Sequence, residues 1–505
     1  MCGIFLSSHS VVNDKSLATI EQCLSFRGPD YSSALITHLG WKAYHSRLSI
    51  IDINSSVHQP LIDNNGGMLV FNGEILNYKE LGVKYFNEVY TSDTKLLSDL
   101  LSLGIIDLNE LDGFFAFVYI GNNGKLQNAV RDKFGVKPLF YYKDKYGISF
   151  SSEPNLLKKL FNLSVNKTAI EEYYAVRSPI FSGSFFNSVD SVHPGHCLSM
   201  GCYFDCKTLF NQSNYEASIN DTFVSLKKGI SSRLVSDVPI GLLLSKGIDS
   251  NLIKELGSFT KYYSIGFSGD DDLEYLKKED IKNLTISECT PKEYINSFNY
   301  LLNLRGEPMS VPNEVLLYRI AKIASADGIK VLLSGEGADE FFGGYDRIFK
   351  WAAQAENFDI EKFLILYCYD PPLKGSRLFK IFQQLFNDNN LKSVFETVRW
   401  FFIRYHMPIL FRRLDFSLMA AGVEGREPIA NYHVFKEAVK FSSSQLMCGD
   451  LGKIPLRKII KEYKGEEFAF EKKVGFPVDL TKIFHNPDKL SSYDLWFKEN
   501  LKVLE

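Results

Sequence analysis

Cys2 becomes the first residue of the chain once Met1 is removed, and its thiol then lies beside a free α-amine. Such an amine titrates near about 7.7–8.0 and can take the thiol proton, activating the nucleophile without a histidine. Most cysteines at position 2 are idle, so the weight comes from four motifs downstream: Phe26-Arg27-Gly28-Pro29-Asp30, His45-Ser46-Arg47-Leu48-Ser49-Ile50, Phe71-Asn72-Gly73-Glu74-Ile75 and Thr91-Ser92-Asp93-Thr94. A second constellation, Ser245-Lys246-Gly247-Ile248-Asp249-Ser250, ends an apolar run and opens a helix, which aims backbone N–H groups at an anion. Its spacing does not fit the G-x-x-x-x-G-K-[ST] loop that cradles a transferring γ-phosphate.

Taken in order, the four N-terminal motifs resemble the glutaminase domain of class II glutamine amidotransferases over nearly all of residues 1–200. The resemblance implies a nucleophilic Cys2, and a glutamine site formed by Arg47, Leu48, Ile50, Asn72, Gly73, Glu74 and Asp93. In it Arg47 holds the glutamine carboxylate, Glu74 and Asp93 hold its α-amino group, and Asn72 and Gly73 form the oxyanion hole. The second constellation is similar to the S-G-G-x-D-S pyrophosphate loop of enzymes that attack the α-phosphorus of ATP, with Lys246 at the place of the first family glycine. Leu332-Leu333-Ser334-Gly335-Glu336-Gly337-Ala338-Asp339-Glu340-Phe341-Phe342-Gly343-Gly344-Tyr345 is nearly the full signature of the asparagine synthetase family.

That family implies ATP binding by Leu244, Ser245, Lys246, Gly247, Asp249, Ser250, Ile265, Ser334, Gly335 and Glu336, with Mg²⁺ on Asp249 and Asp339. It also implies a lysine, Lys473 of Lys473-Val474-Gly475-Phe476-Pro477, near the α-phosphate and the reacting acyl group. Asn431 stands where the family usually has Asp. The implied fold is an α+β N-terminal-nucleophile (αββα) glutaminase domain, residues 1–200, followed by an α/β pyrophosphate-loop synthase domain of the adenine nucleotide α-hydrolase kind, residues 201–505. The implied activity is glutamine-dependent, ATP-consuming amidation of a carboxylate, L-aspartate by default. Amidation of another carboxylate such as a sugar uronate, and a regulatory protein with an inactive synthase site, stay open as alternatives. A β-lactam-synthetase-like activity fits less well, since it has no use for intact glutaminase motifs.

The elements that must hold these residues are legible as two patterns. Residues 1–200 alternate in short strands, Met68 to Phe71, Phe114 to Ile120, Leu126 to Val130, Leu139 to Tyr142 and Gly147 to Ser152, with helices at Lys15 to Leu24 and Asp93 to Leu103. Beyond a boundary between Leu198 and Tyr215, longer helical periods alternate with apolar strands at Val238 to Leu244, Tyr262 to Phe267 and Ile329 to Leu333, an α/β pattern. Phe349 to Phe411 reads as helices packed round a core.

With 57 Lys+Arg against 60 Asp+Glu in 505 residues, a net charge of -3 provides no basic field for nucleic acid or a membrane surface. The apolar runs are too short to span a bilayer, and the N-terminus lacks a basic signal-like region, so the expected location is cytoplasmic, with a homodimer left open. Eight scattered cysteines fit free thiols. His193, His196, Cys197, Cys202 and Cys206 offer metal-ligand types without a C-x-x-C pair, which favours hairpin chemistry over zinc.

Overall fold

Alternating apolar positions in the first 202 residues build two antiparallel sheets, one of seven strands and one of six, in a computed structural model that describes residues 2–53, 57–472 and 478–505. The first sheet runs in the order 189–191, 140–144, 147–151, 2–7, 41–47, 31–32, with 36–38 also paired to 41–47. The second runs 201–202, 196–197, 126–131, 113–120, 68–75, 61–62. Period-two alternation decides which side chains meet between them. Ile4, Leu6 and Ala43 of the first sheet pack against Val70, Ala116 and Val118 of the second, while Phe5 and Tyr44 point outward to Ile20, Leu24, Leu156 and Leu157. Helices Leu17–Leu24 and Pro154–Phe161 therefore cover the outer face of the first sheet, and helix Asp93–Ser102 packs on the second. This is the αββα sandwich that the resemblance implied.

Residues 240–426 contribute a third sheet of five parallel strands, in the order Leu284–Glu288, Lys261–Gly266, Ile240–Leu243, Val331–Leu333, Glu424–Arg426. Leu242, Tyr263, Leu332 and Leu333 are fully buried, as in a parallel sheet covered on both faces. Ile240–Leu243 and Val331–Leu333 are adjacent, so the loops that leave their C-terminal ends, Leu244–Gly247 and Ser334–Gly337, rise side by side. Ligands of open α/β sheets bind at this edge.

The strands and helices differ from the sequence expectation mainly at their ends. The strand expected at Met68 to Phe71 continues to Ile75, so Asn72 and Gly73 lie within a sheet and not on a turn. The strand expected at Val238 to Leu244 is limited to Ile240–Leu243, and the helix expected from Lys15 opens as a single 3₁₀ turn. Helices Pro154–Phe161 and Lys167–Val176 had no clear counterpart in the sequence pattern. The segment from Phe349 is helical as expected, with Phe363, Phe382, Phe386 and Phe401 in one aromatic core. His196–Cys197 and Gly201–Cys202 form a two-stranded hairpin at the edge of the second sheet. Among the described residues no helix is long and apolar enough to cross a membrane.

Candidate active sites

Cys2 opens the central strand of the first sheet and pairs in register with Arg47 on the neighbouring strand, so one ladder step places the thiol beside the guanidinium. The two line one cleft with Leu48, Ile50, Gly73, Glu74 and Asp93. The Cys2 N–H donates to Asn72 Oδ1 at 2.9 Å, which orients the Asn72 side chain. Its other end, Nδ2, is a buried donor without a hydrogen-bond partner among the described residues. Leaving such a group unpaired costs about 1–3 kcal/mol, and an acceptor that develops charge nearby recovers that cost. Gly73 has φ +130°, and a Cβ there would lie 2.7 Å from Phe115 Cα and run into the Phe114 carbonyl. Only glycine allows the strand this backbone angle and this close approach to its neighbour.

Burial pushes the Cys2 thiol up, while Leu48, through its backbone, and Arg47 pull it down. Arg47 is aimed by the carbonyls of Asp52 at 2.9 Å and Ile51 at 3.3 Å. Asp93 is the first residue of its helix, accepts the N–H groups of Thr94 at 2.7 Å and Ile75 at 3.1 Å, and is pushed up to about 6 by burial. Glu74 lines the cleft and meets Arg426 of the parallel sheet at 2.5 Å. Buried Arg27, within the Phe26-Arg27-Gly28 motif, donates to the Cys2 carbonyl at 3.1 Å and reaches Glu153 at 2.7 Å and Asp415 at 2.8 Å. The nucleophile's backbone is thereby tied to helix Met407–Met419.

The second cleft has a volume of 330 Å³ and lies at the C-terminal edge of the parallel sheet. Lys246, Gly247, Asp249 and Asp339 line it, together with Asp271, Asp272, Asp346 and Lys453. Asp249 lies in the first turn of helix Ile248–Leu256, and Asp339 in that of helix Ala338–Phe342. Lys453 Nζ stands 2.7 Å from both Asp249 Oδ2 and Asp339 Oδ1, so the two carboxylates converge on one cationic point. Close approach of the two loops is enforced by glycine, since a Cβ on Gly335 would lie 2.9 Å from Asp249 Cβ. Ser250 and Asn251 brace the first loop from its own helix: Ser250 Oγ accepts the Ser245 N–H at 3.2 Å, and Asn251 Nδ2 donates to Ser245 O and Gly247 O. Lys246 reaches Glu471 at 2.5 Å and lies over the Tyr275 ring.

Other expected ATP residues do not line this cleft. Leu244 is buried below it, Ile265 packs in the sheet, and the Ser334 N–H donates to Arg426 O at 2.9 Å. Ser245, Ser250 and Gly335 shape the loops from within, and Glu336 is ion-paired to Arg413. Lys473 lies outside the described residues. Asn431 caps helix Tyr432–Ala438 by accepting from Val434 N–H at 3.1 Å while donating to Pro428 O at 2.6 Å. An aspartate would cap equally well but could not donate, which accounts for Asn at this position. Lys453 escaped the sequence reading, although the Gly452-Lys453-Ile454-Pro455 run before a helix was a signal for it. Arg426 lies in Val423-Glu424-Gly425-Arg426-Glu427-Pro428, a segment that resembles a piece of the family but to which the sequence assigned no role.

Sandwich and parallel sheet together define a two-centre class, a buried N-terminal thiol site joined to a nucleotide-type cleft. Residues 1–205 match the glutamine amidotransferase domain model and residues 225–502 the asparagine synthase model. Similar proteins include asparagine synthetase [glutamine-hydrolyzing] 1 of Bacillus subtilis (strain 168), 26% identical over 95% of this chain and 87% of that protein. Asparagine synthetase [glutamine-hydrolyzing] 3 of the same organism is 26% identical over 99% and 89%. Amidase chry2 of Gibberella zeae is 28% identical over 68% and 60%. The chain belongs to the asparagine synthase family and is an amidotransferase ligase with an N-terminal glutamine amidotransferase domain.

Proposed function

We propose that this enzyme hydrolyses glutamine at Cys2 and uses the ammonia, with ATP, to amidate a carboxylate, L-aspartate by default. The observation that carries the reading is the buried Cys2, whose N–H holds the Asn72 side chain by Oδ1 and leaves Nδ2 unpaired among the described residues, in a cleft that Cys2 shares with Arg47, Glu74 and Asp93. With Met1 removed, the Cys2 amine, held at Asn72 Oδ1, takes the thiol proton, and the sulfur attacks the glutamine amide carbon. Asn72 Nδ2 and the Gly73 N–H receive the oxyanion. Ammonia leaves with the proton, and water cleaves the γ-glutamyl thioester to glutamate. Arg47 holds the substrate carboxylate, and Glu74 with Asp93 holds its ammonium.

In the second cleft the acceptor carboxylate attacks the α-phosphorus of ATP, pyrophosphate leaves, and ammonia displaces AMP from the acyl carbon. Asp249 and Asp339 supply the carboxylate oxygens that a hard divalent cation takes, and they converge on one point of the cleft, held in this structure by Lys453 Nζ. Asp249 and Asp339 would hold Mg²⁺, which neutralises phosphate charge. Lys453, Lys246 and Lys473 are assigned to the phosphates and the acyl-adenylate.

Screening carboxylates for glutamine- and ATP-dependent release of AMP and pyrophosphate, aspartate first, tests the reading. Cys2→Ala should lose glutamine hydrolysis and keep ammonia-dependent amidation, and intact mass should show Met1 absent. Glutamine hydrolysis at the wild-type rate in Cys2→Ala would overturn the thiol assignment.

A further inference from the structure

The glutamine cleft is not built from the sandwich alone. Strand Glu424–Arg426, at the edge of the parallel sheet, lies against it, and alternation along the strand turns Glu424 and Arg426 to one side. Arg426 is fully buried and every one of its side-chain nitrogens is engaged. Nη2 donates to Glu74 Oε2 at 2.5 Å, Nε donates to Glu424 Oε1 at 2.6 Å, and Nη1 donates to the carbonyls of Arg233 and Val235, each at 2.7 Å. The guanidinium also stacks over Phe114. Its backbone is fixed from the other direction, since its carbonyl accepts the Ser334 N–H that opens the second nucleotide-type loop.

We propose that Arg426, a residue of the synthase half, is the positioning residue that lets Glu74 recognise the α-ammonium of glutamine. The proposal rests on the reading of Glu74 given above. Glu74, Asp93 and Glu424 are three carboxylates within one buried region, each almost or wholly out of contact with water. Burial, with the Glu424 and Asp93 charges beside it, holds the Glu74 carboxyl well above the ordinary carboxylate range, and the Arg426 guanidinium, 2.5 Å away, is the strongest influence that opposes this. Without Arg426 the cheapest state of Glu74 is the neutral acid, because a buried unpaired carboxylate takes up a proton before it accepts the desolvation cost. A neutral acid keeps the shape of the site and loses its attraction for an ammonium. Arg426 also fixes which oxygen is spent: among the described residues it engages Oε2, and Oε1 makes no hydrogen bond to another side chain or backbone group. Lysine could supply the charge but not the fork that binds Glu74 and Glu424 together.

The test compares L-glutamine with glutaramate, the same amide without the α-amine, as substrates of full-length Arg426→Gln and Arg426→Lys, with thermal unfolding as the check on fold. The wild type should favour L-glutamine in kcat/KM. In Arg426→Gln that preference should fall by about 10-fold or more through the KM for L-glutamine, the scale of a lost charge-assisted contact. Glutaramate turnover should change little, and Arg426→Lys should lie between.

Equal losses for both substrates would make Arg426 a purely structural residue and overturn the proposal, as would an unchanged preference. Should Arg426→Gln not fold, Arg426→Lys decides by the same ratio. A parallel Cys2→Ala control keeps the two readings separate. Hydrolysis persisting there refutes the thiol assignment, whereas a lost preference tied to Arg426 with an inactive Cys2→Ala refutes neither.

Discussion

Gly73→Ala is the sharpest single perturbation of the thiol site. The added methyl would lie 2.7 Å from Phe115 Cα and closer still to the Phe114 carbonyl oxygen. Carbon contacts are comfortable at about 3.5–4.0 Å, so the two strands must part by about 1 Å at this step. The backbone φ of +130° adds strain of about 1–3 kcal/mol for a residue with a Cβ. Gly73 adjoins Asn72, whose side chain holds the Cys2 N–H, so the displacement falls on the oxyanion donors and on the nucleophile. A misplacement of about 1 Å in reacting groups costs about 10²-fold, and glutamine kcat should fall by that factor.

The assay is glutamate release at saturating glutamine, with ammonia-dependent AMP release as the internal control that should persist. Gly104→Ala separates strain from collision, since Gly104 also has positive φ, +68°, with nothing within 4 Å of a new Cβ. It should leave glutamine turnover unchanged. Glutamine hydrolysis by Gly73→Ala within about threefold of wild type would refute the reasoning, because a displacement of about 1 Å at the donors should cost about 10²-fold.

Three further outcomes are expected. Asp93, pushed up to about 6, is neutral below that pH and cannot pair with an ammonium, so kcat/KM for glutamine should rise as pH increases through about 6 and this inflection should vanish in Asp93→Asn. Lys453→Met leaves Asp249 and Asp339 facing each other without their shared cation; because the Asp339 side chain is 35% exposed, the loss should fall below the roughly 3–5 kcal/mol of a fully buried broken pair, and Asp339→Asn in the same chain should restore part of it in thermal or denaturant unfolding. Lys246→Ala should raise the KM for ATP by about 3–10-fold, as expected for a charge-assisted phosphate contact; an unchanged KM would reduce Lys246 to its contact with Glu471.

Local chemistry in the chain was enough to determine the thiol site. Cys2 opens a strand, and Arg47, Asn72, Gly73, Glu74 and Asp93 lie in three short motifs that each occupy one strand or helix start, so one ladder step or one capped turn brings Arg47, Gly73, Glu74 and Asp93 to the cleft at Cys2. The same holds for the strand–loop–helix that presents Lys246, Gly247 and Asp249, where direction is set by the hand of the parallel sheet. What the sequence alone left open is where separate pieces of chain meet. Lys453 stands between Asp249 and Asp339 although it lies 204 residues from the first of them. Arg426 reaches Glu74 across 352 positions, and Arg27 reaches Asp415 across 388.

Among the residues expected at the nucleotide, Glu336 is instead held by Arg413, and Ser334 by the carbonyl of Arg426. Motifs state which groups a loop can offer, because backbone dihedrals and capping are local. Which of those groups is spent on another segment and which is left for a substrate depends on charges brought together by packing, and only the tertiary structure decides that.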